Sequence, residues 1–218
     1  MGGGAMNAFL RPLFCLALIA LTGCAVGNTH QYAQRGLTLP VQAATVSSIA
    51  VGVQDQRPYV VNGRKAGTFV GLQRAGFGNP WDINTASGQP LADDIRGTIT
   101  TALERNGAQV IPVTLPINLD TNSASQRVLS YGSNRSVMVG IKEWKSDTYS
   151  RTGLEFDMHV AVRDREGRLL GENRIRGAET LGGAAILPVS AARAEVEAAY
   201  PQKIIELFNN PSISSALR

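Results

Sequence analysis

Cysteine and histidine are scarce in this chain of 218 residues, which contains two of each. Cys15 and Cys24 both lie near the amino terminus, so the rest of the chain has no thiol for a disulfide and must be stabilised by packing. His30 and His159 have no companions at the spacing of a metal site. We therefore expect no metal and no cofactor.

Charge is also sparse, since only 17% of the residues are charged. The 21 basic and 17 acidic residues give a net charge of +4, and they are interleaved instead of forming a basic block. This pattern argues against a nucleic-acid partner and supports only loose attraction to anionic headgroups. The hydrophobic content of 44% is typical of a chain with one globular core.

Motifs for catalysis are missing as well. The serines follow no nucleophile-elbow pattern, and the glycines of residues 71–78 lack the Gly-Lys-Ser/Thr ending of a phosphate-binding loop. We therefore expect that the protein is not an enzyme. A periplasmic hydrolase that uses carboxylates such as Asp55 and Asp157 is the alternative, although Asp55 and Arg57 are better explained as an ion pair that anchors the next segment.

The first hydrophobic run, residues 12–21, follows Arg11 and is about ten residues long, too short for a membrane span. It ends in Leu21-Thr22-Gly23-Cys24, which resembles a lipobox. The resemblance implies that residues 1–23 are a signal peptide and that Cys24 becomes the lipid-modified first residue. Ala25, in place of Asp, implies the periplasmic face of the outer membrane. An ordinary signal peptide and an uncut anchor are the alternatives.

Residues 24–47 are polar and small, which predicts a lipidated tether. Residues 48–209 are then one periplasmic domain, and residues 210–218 a flexible tail.

The domain alternates strand and helix patterns. Residues 48–53 alternate as a strand does, and a helix is indicated by apolar residues at every fourth position, Leu91, Ile95, Ile99 and Leu103. Further strands are predicted at residues 108–113, 137–144, 154–163 and 168–176. A last helix is predicted at residues 189–209, which Pro201 should kink or divide into two pieces. These elements predict an α+β fold, a mixed β-sheet packed on one face by two or three helices.

One segment has an unusual apolar content. We expect a hairpin around Asn62-Gly63, followed by a long loop from residue 71 to residue 88. Large apolar side chains in water often mark a binding site, so we predict a surface for an envelope protein, formed by Phe69, Phe77, Pro80 and Trp81. The alternative is that these residues fold back onto the core.

Residues 48–53, the following Asp55-Gln56-Arg57-Pro58, and the helix that ends before Asn106-Gly107 resemble the YajG-type envelope lipoproteins. More distantly, the chain is similar to the small α+β modules of TolB amino-terminal and curli-secretion type. The resemblance implies a non-enzymatic binding or assembly module of the envelope, while residues 65–88 depart from the pattern. A structural subunit of a secretion or transport assembly is a further alternative.

Overall fold

A 14-residue strand organises the sheet in this computed structural model, which describes residues 28–43, 45–74, 78–182 and 189–218. The strands of the described residues are β1 (Thr29–His30), β2 (Ile49–Asp55), β3 (Phe69–Arg74), β4 (Pro80–Thr85), β5 (Val110–Val113), β6 (Arg135–Thr148), β7 (Thr152–Asp164) and β8 (Leu169–Gly182). The helices are α1 (Pro58–Val61), α2 (Leu91–Arg105), α3 (Thr121–Leu129), α4 (Val189–Phe208) and α5 (Pro211–Ala216).

The long strand β6 has two different neighbours along one side. Its first half pairs in parallel with β2, from Arg135 to Ile141, and its second half pairs in parallel with β3, from Ser146 to Thr148. Its other side pairs with antiparallel β7, which in turn pairs with antiparallel β8. Beyond these strands, β5 pairs with β2, β4 with β3, and β1 in parallel with β4. The predicted α+β fold with a mixed sheet is confirmed.

The main core lies on one face of the sheet and contains side chains from α2, α4 and α5. At its centre, the rings of Tyr32, Trp144 and Tyr200 meet edge to face at centroid distances of 5.0 to 5.9 Å. A smaller cluster on the other face joins Ala124 and Val128 of α3 to strand residues such as Met138. Alternate residues of one strand therefore feed two cores, as the pleat of a strand requires.

The segment expected to be a tether belongs to the fold. Tyr32 and Ala43 are fully buried, and Leu39 is almost fully buried. Asn106 Nδ2 donates hydrogen bonds to the carbonyl oxygens of Leu39 and Val41, at 3.1 and 2.7 Å. The prediction failed because isolated apolar residues in an irregular segment show no periodicity, yet each can be buried singly. The chain joins the fold at β1, only a few residues after Cys24.

The expected hairpin at Asn62-Gly63 is not present. Pro58 begins α1, as proline favours the first turn of a helix, and Gly63, with φ of 76°, lies in the turn that follows. The next segment, expected to be a loop up to residue 88, instead contains the antiparallel pair β3 and β4. The positive φ angle of Gly63, expected in a hairpin turn, instead occurs in the turn that ends helix α1.

The carboxyl-terminal residues, expected to be a flexible tail, form α5. The Asn210 side chain accepts a hydrogen bond from the Ser212 amide at 2.8 Å, and Pro211 occupies the first turn. Ile213 and Leu217 are fully buried. Helix α4 runs as one helix through Pro201, so this proline does not divide it.

Candidate binding surface

Phe69 does not lie on an exposed surface. It is the first residue of β3 and is 3% exposed. Its ring meets the ring of Tyr59 edge to face at 5.5 Å, and Lys65 Nζ lies 4.8 Å from the ring centroid. For this residue, packing onto the core was the correct alternative.

Pro80 and Trp81 are exposed at the start of β4, while Phe77 lies outside the described residues. Trp81 is 65% exposed, although it is two residues from the buried Ile83 and therefore on the same face of the sheet. The indole thus extends the apolar face of the sheet beyond the edge of the core. Two of the four predicted binding residues are on the surface.

Neighbouring strand ends complete this part of the surface. Trp81 pairs with Gln73 of β3, and Gln73 pairs with Thr148, the last residue of β6. Tyr149, which follows Thr148 in the turn to β7, is 58% exposed. We call this surface the Trp81 end and define it as Arg74, Pro80, Trp81 and Tyr149. Sequence reasoning missed Tyr149, whose only signal was an aromatic residue in a polar turn.

An ion pair links two strands at the Trp81 end. Arg74 donates from Nε and Nη2 to the two carboxylate oxygens of Asp147, at 2.8 and 2.6 Å. Asp147 is opposite Leu72 in the ladder, so the pair links the end of β3 to the end of β6. Such two-point pairing fixes geometry better than a single contact does.

The amino-terminal chain approaches from the same end. Strand β1 runs parallel to β4, with Thr29 opposite Asn84, and the Asn28 carbonyl accepts a hydrogen bond from the Asn84 amide at 3.2 Å. Going backwards from Thr29, the chain therefore points towards Pro80 and Trp81.

Asp55 and Arg57 form the buried ion pair expected from their spacing. Arg57 is 0% exposed, and its Nε and Nη2 donate to the two Asp55 carboxylate oxygens at 2.9 and 2.6 Å. The remaining guanidinium hydrogens go to the carbonyl oxygens of Gly67, Phe69 and Trp144. All five donors are used, so the pair joins α1, β3 and β6 and has a structural role.

Asp55 and Asp157, the two carboxylates suggested for a hydrolase, do not lie close together. Asp55 is opposite Ile141 and Ile141 is opposite Met158, so these three residues share one face of the sheet. Asp157 precedes Met158 and points to the other face. There, hydrogen bonds from Arg174 at 2.8 and 2.5 Å lower the pKa of the Asp157 carboxyl. The geometry does not support a site that combines the two.

Both histidines are more buried than the sequence suggested. His30 is 4% exposed, and burial together with the charge of Arg193 lowers its pKa to about 4. The ring of His159 lies against Gly140, where a Cβ would be 2.0 Å from His159 Cε1, and burial lowers its pKa too. Within the described part of the chain, no group of three or more His, Cys, Asp or Glu residues could hold a metal ion.

The opposite end of the sheet carries the turn between β7 and β8. Two grooves adjoin there and share Arg165 and Glu166: one of about 390 Å³ also touches α3, and one of about 340 Å³ also touches Arg135. Arg168 Nε donates to Asp164 at 2.6 Å, so the basic residues alternate with acids as the sequence indicated. We call this surface the turn end; its exposed apolar residues are Tyr131, Leu169 and Leu170.

Among the helices that the structure describes, none has the length and apolar character needed to cross a bilayer. No protein-family model matches the chain, and no curated protein matches it.

Solved structures do resemble it. A DUF330 protein from Xanthomonas campestris superposes with a TM-score of 0.54 at 14% identity, over 86% of this chain and 96% of that chain. The chain shares its fold. An uncharacterized protein gives a TM-score of 0.44 at 11% identity over 83% and 97% of the two chains. Lipoprotein GNA1162 from Neisseria meningitidis gives 0.37 at 14% identity over 72% and 98%.

Proposed function

We propose that the protein is a bacterial lipoprotein, attached through Cys24 to the periplasmic face of the outer membrane, that acts as a non-enzymatic binding or assembly module. The observation that carries the proposal is where the fold begins. Asn28 is already hydrogen-bonded to Asn84, and Tyr32 is fully buried, so the domain starts immediately after the lipobox. A lipidated Cys24 would hold this domain directly at the bilayer.

Lipid attachment explains how such a domain stays on a membrane. Each buried methylene contributes about 0.8 kcal/mol, so two or three acyl chains give stable anchoring to a domain without a spanning helix. The sequence supplies the signal, because Leu21-Thr22-Gly23-Cys24 closes the apolar run. Within the same proposal, the protein is of the YajG type.

Binding is favoured over catalysis by the state of the polar side chains. Asp55 and Asp157 are each held by an arginine, on opposite faces of the sheet. Surface aromatic residues, in contrast, stand at both ends of the molecule. The grooves of the turn end, at the opposite end of β6 from the strands that Asn28 joins, are the surface that we propose for an envelope protein.

Palmitate labelling tests the attachment. In the parent bacterium, the wild-type chain and a Cys15→Ser control, altered in the predicted signal peptide, should both incorporate label and sediment with the outer membrane. A Cys24→Ser variant should remain unlabelled and should keep residues 1–23, because a lipobox is cleaved only after its cysteine is modified. Label on the Cys24→Ser variant, or a wild-type protein that keeps its first 23 residues, would refute the proposal.

A structural subunit of an assembly is the second candidate, and the edge of the sheet favours it. Strand β8 has 14 residues and pairs only with β7 among the strands of the described residues. Ser212 Oγ of α5 donates to the Glu172 carbonyl oxygen, so α5 covers the beginning of this edge, and the rest of the edge is where another chain can add a strand. A defined oligomer in mass measurements of the purified full-length lipoprotein would support this role, and a monomer at micromolar concentration would exclude it.

A further inference from the structure

The link between the lipid and the fold is short. Three residues lie between Cys24 and Asn28, and an extended chain spans at most about 3.5 Å per residue step, so the four steps of this link reach at most about 14 Å. The tether predicted from sequence, residues 24–47, would have reached several times farther. The point where the chain enters the fold is therefore kept close to the acyl chains.

The Trp81 end lies at this entry point. By the ladder, Trp81 is two residues along β4 from the position beside Asn28, which is about 7 Å along the strand and one strand spacing of about 4.8 Å across. Thr148, which precedes Tyr149, is two strand spacings from Trp81, or about 10 Å. Trp81 is thus about 8 Å from Asn28, within the distance that the link itself spans, and Tyr149 lies beside it two strands farther on.

The chemistry of these residues matches the headgroup layer. Trp and Tyr are amphipathic, with an apolar ring and one hydrogen-bonding group, and they are enriched at membrane interfaces. Trp81 is 65% exposed and Tyr149 58% exposed, so both offer most of their surface to a bilayer. Arg151 is exposed in the turn beside Tyr149, and its positive charge is attracted by the phosphates of lipid headgroups.

We propose that the Trp81 end is a membrane-docking surface, on which Trp81 and Tyr149 enter the phospholipid headgroup layer and set the orientation of the anchored domain. The inference rests on the proposed lipidation of Cys24, which supplies the nearby bilayer. It assigns to Trp81 a lipid partner in place of the envelope protein expected from sequence.

The position of the link favours lipid over protein as the partner. The short link from Cys24 to Asn28 keeps the Trp81 end at a high effective concentration relative to the bilayer, so even a weak affinity for lipid is enough for it to bind. A protein bound to Trp81 would have to fit into the gap that the link of about 14 Å leaves. The turn end has no such restriction, because it lies at the far end of β7.

Quenching by brominated phospholipids tests the docking. The lipidated full-length protein is reconstituted into phosphatidylethanolamine–phosphatidylglycerol vesicles, with or without bromine near the headgroups. The chain has two tryptophans, and Trp144 is fully buried, so it serves as an internal reference. We expect brominated lipid to quench the emission of Trp81, and a Trp81→Phe variant to lose this quenching.

A second measurement compares the two ends of the molecule. A photocrosslinker at position 81 should form adducts with phospholipid, whereas the same group at Tyr131, which is 47% exposed at the turn end, should not. In the mature chain that begins at residue 24 and carries Cys24→Ser, which has neither the lipid nor the apolar signal segment, Trp81→Ser with Tyr149→Ser should weaken vesicle binding about tenfold, equivalent to about 1.4 kcal/mol. The control pair Tyr131→Ser and Leu169→Ser should leave vesicle binding unchanged.

The outcomes separate the two proposals. If the protein carries no lipid and does not co-sediment with vesicles, the proposed function fails, and the docking has lost its basis. If the protein is lipidated and vesicle-bound but Trp81 is not quenched, only the docking is refuted. Crosslinks from position 81 to a protein, in cells and without phospholipid adducts, would refute it as well.

Discussion

Removing the carboxylate of Asp55 should destabilise the domain more than any other single charge change at an ion pair described above. Arg57 is 0% exposed, and Asp55 supplies two of its hydrogen-bond acceptors and its countercharge. In an Asp55→Ala variant the guanidinium keeps three neutral carbonyl partners but no negative charge. Such a variant leaves a buried, uncompensated cation.

The expected cost is about 3 to 5 kcal/mol in the free energy of unfolding, the range for breaking a buried pair by removing one partner. Domains are typically stable by about 5 to 15 kcal/mol, so a large share of the stability is at risk. With a urea dependence of about 2 kcal/mol per molar, the midpoint should fall by about 2 M.

Urea unfolding of the full-length Cys24→Ser chain, followed by circular dichroism, measures this difference. The control is Asp82→Ala, which breaks the exposed pair with Lys65 and should cost less than about 1 kcal/mol. An Asp55→Leu, Arg57→Met double variant should be more stable than Asp55→Ala, because no buried charge remains. If Asp55→Ala and Asp82→Ala unfold at the same urea concentration, the argument from burial is wrong.

Two further predictions concern His30 and the carboxyl-terminal helix. Because the pKa of His30 falls from 6.5 to about 4 on folding, its contribution to stability is complete above pH 6.5 and falls by about 3 kcal/mol as the pH drops to 4. A His30→Leu variant should lose that part of the acid dependence in urea titrations, and identical pH profiles would contradict the shift. Gly171→Ala should speed hydrogen exchange in α5, since its Cβ would lie 2.4 Å from the Ser212 carbonyl oxygen. Gly36→Ala, with nothing within 4 Å, should not, and equal exchange in both variants would show that α5 does not depend on this contact.

Regular periodicity made the central elements predictable. Leu91, Ile95, Ile99 and Leu103 recur at helical spacing and are all fully buried on α2. The strand predicted at residues 154–163 was identified in the same way, because apolar and polar residues alternate along it, and it lies within β7. These elements were sufficient for the fold class.

Irregular segments were not predictable, for an equally physical reason. Tyr32 enters the core from a segment without secondary structure, so neither period marks it. Around Asn62-Gly63, local turn chemistry is the same for a hairpin and for a helix end, and only tertiary packing decides. For Phe69 and Trp81, twelve residues apart on neighbouring strands, composition could not distinguish buried from exposed.

The length of strand β6 determines the distance between the Trp81 end and the turn end. At about 3.3 Å per residue, 14 residues measure about 45 Å, and twist and the bulge near Glu143 shorten this length. One end of β6 lies next to Tyr149, and the other end is Arg135, which lines one of the two grooves of the turn end. With the proposed lipid anchor and docking, a macromolecule bound in those grooves would lie no more than roughly 45 Å, about one bilayer thickness, beyond the lipid surface.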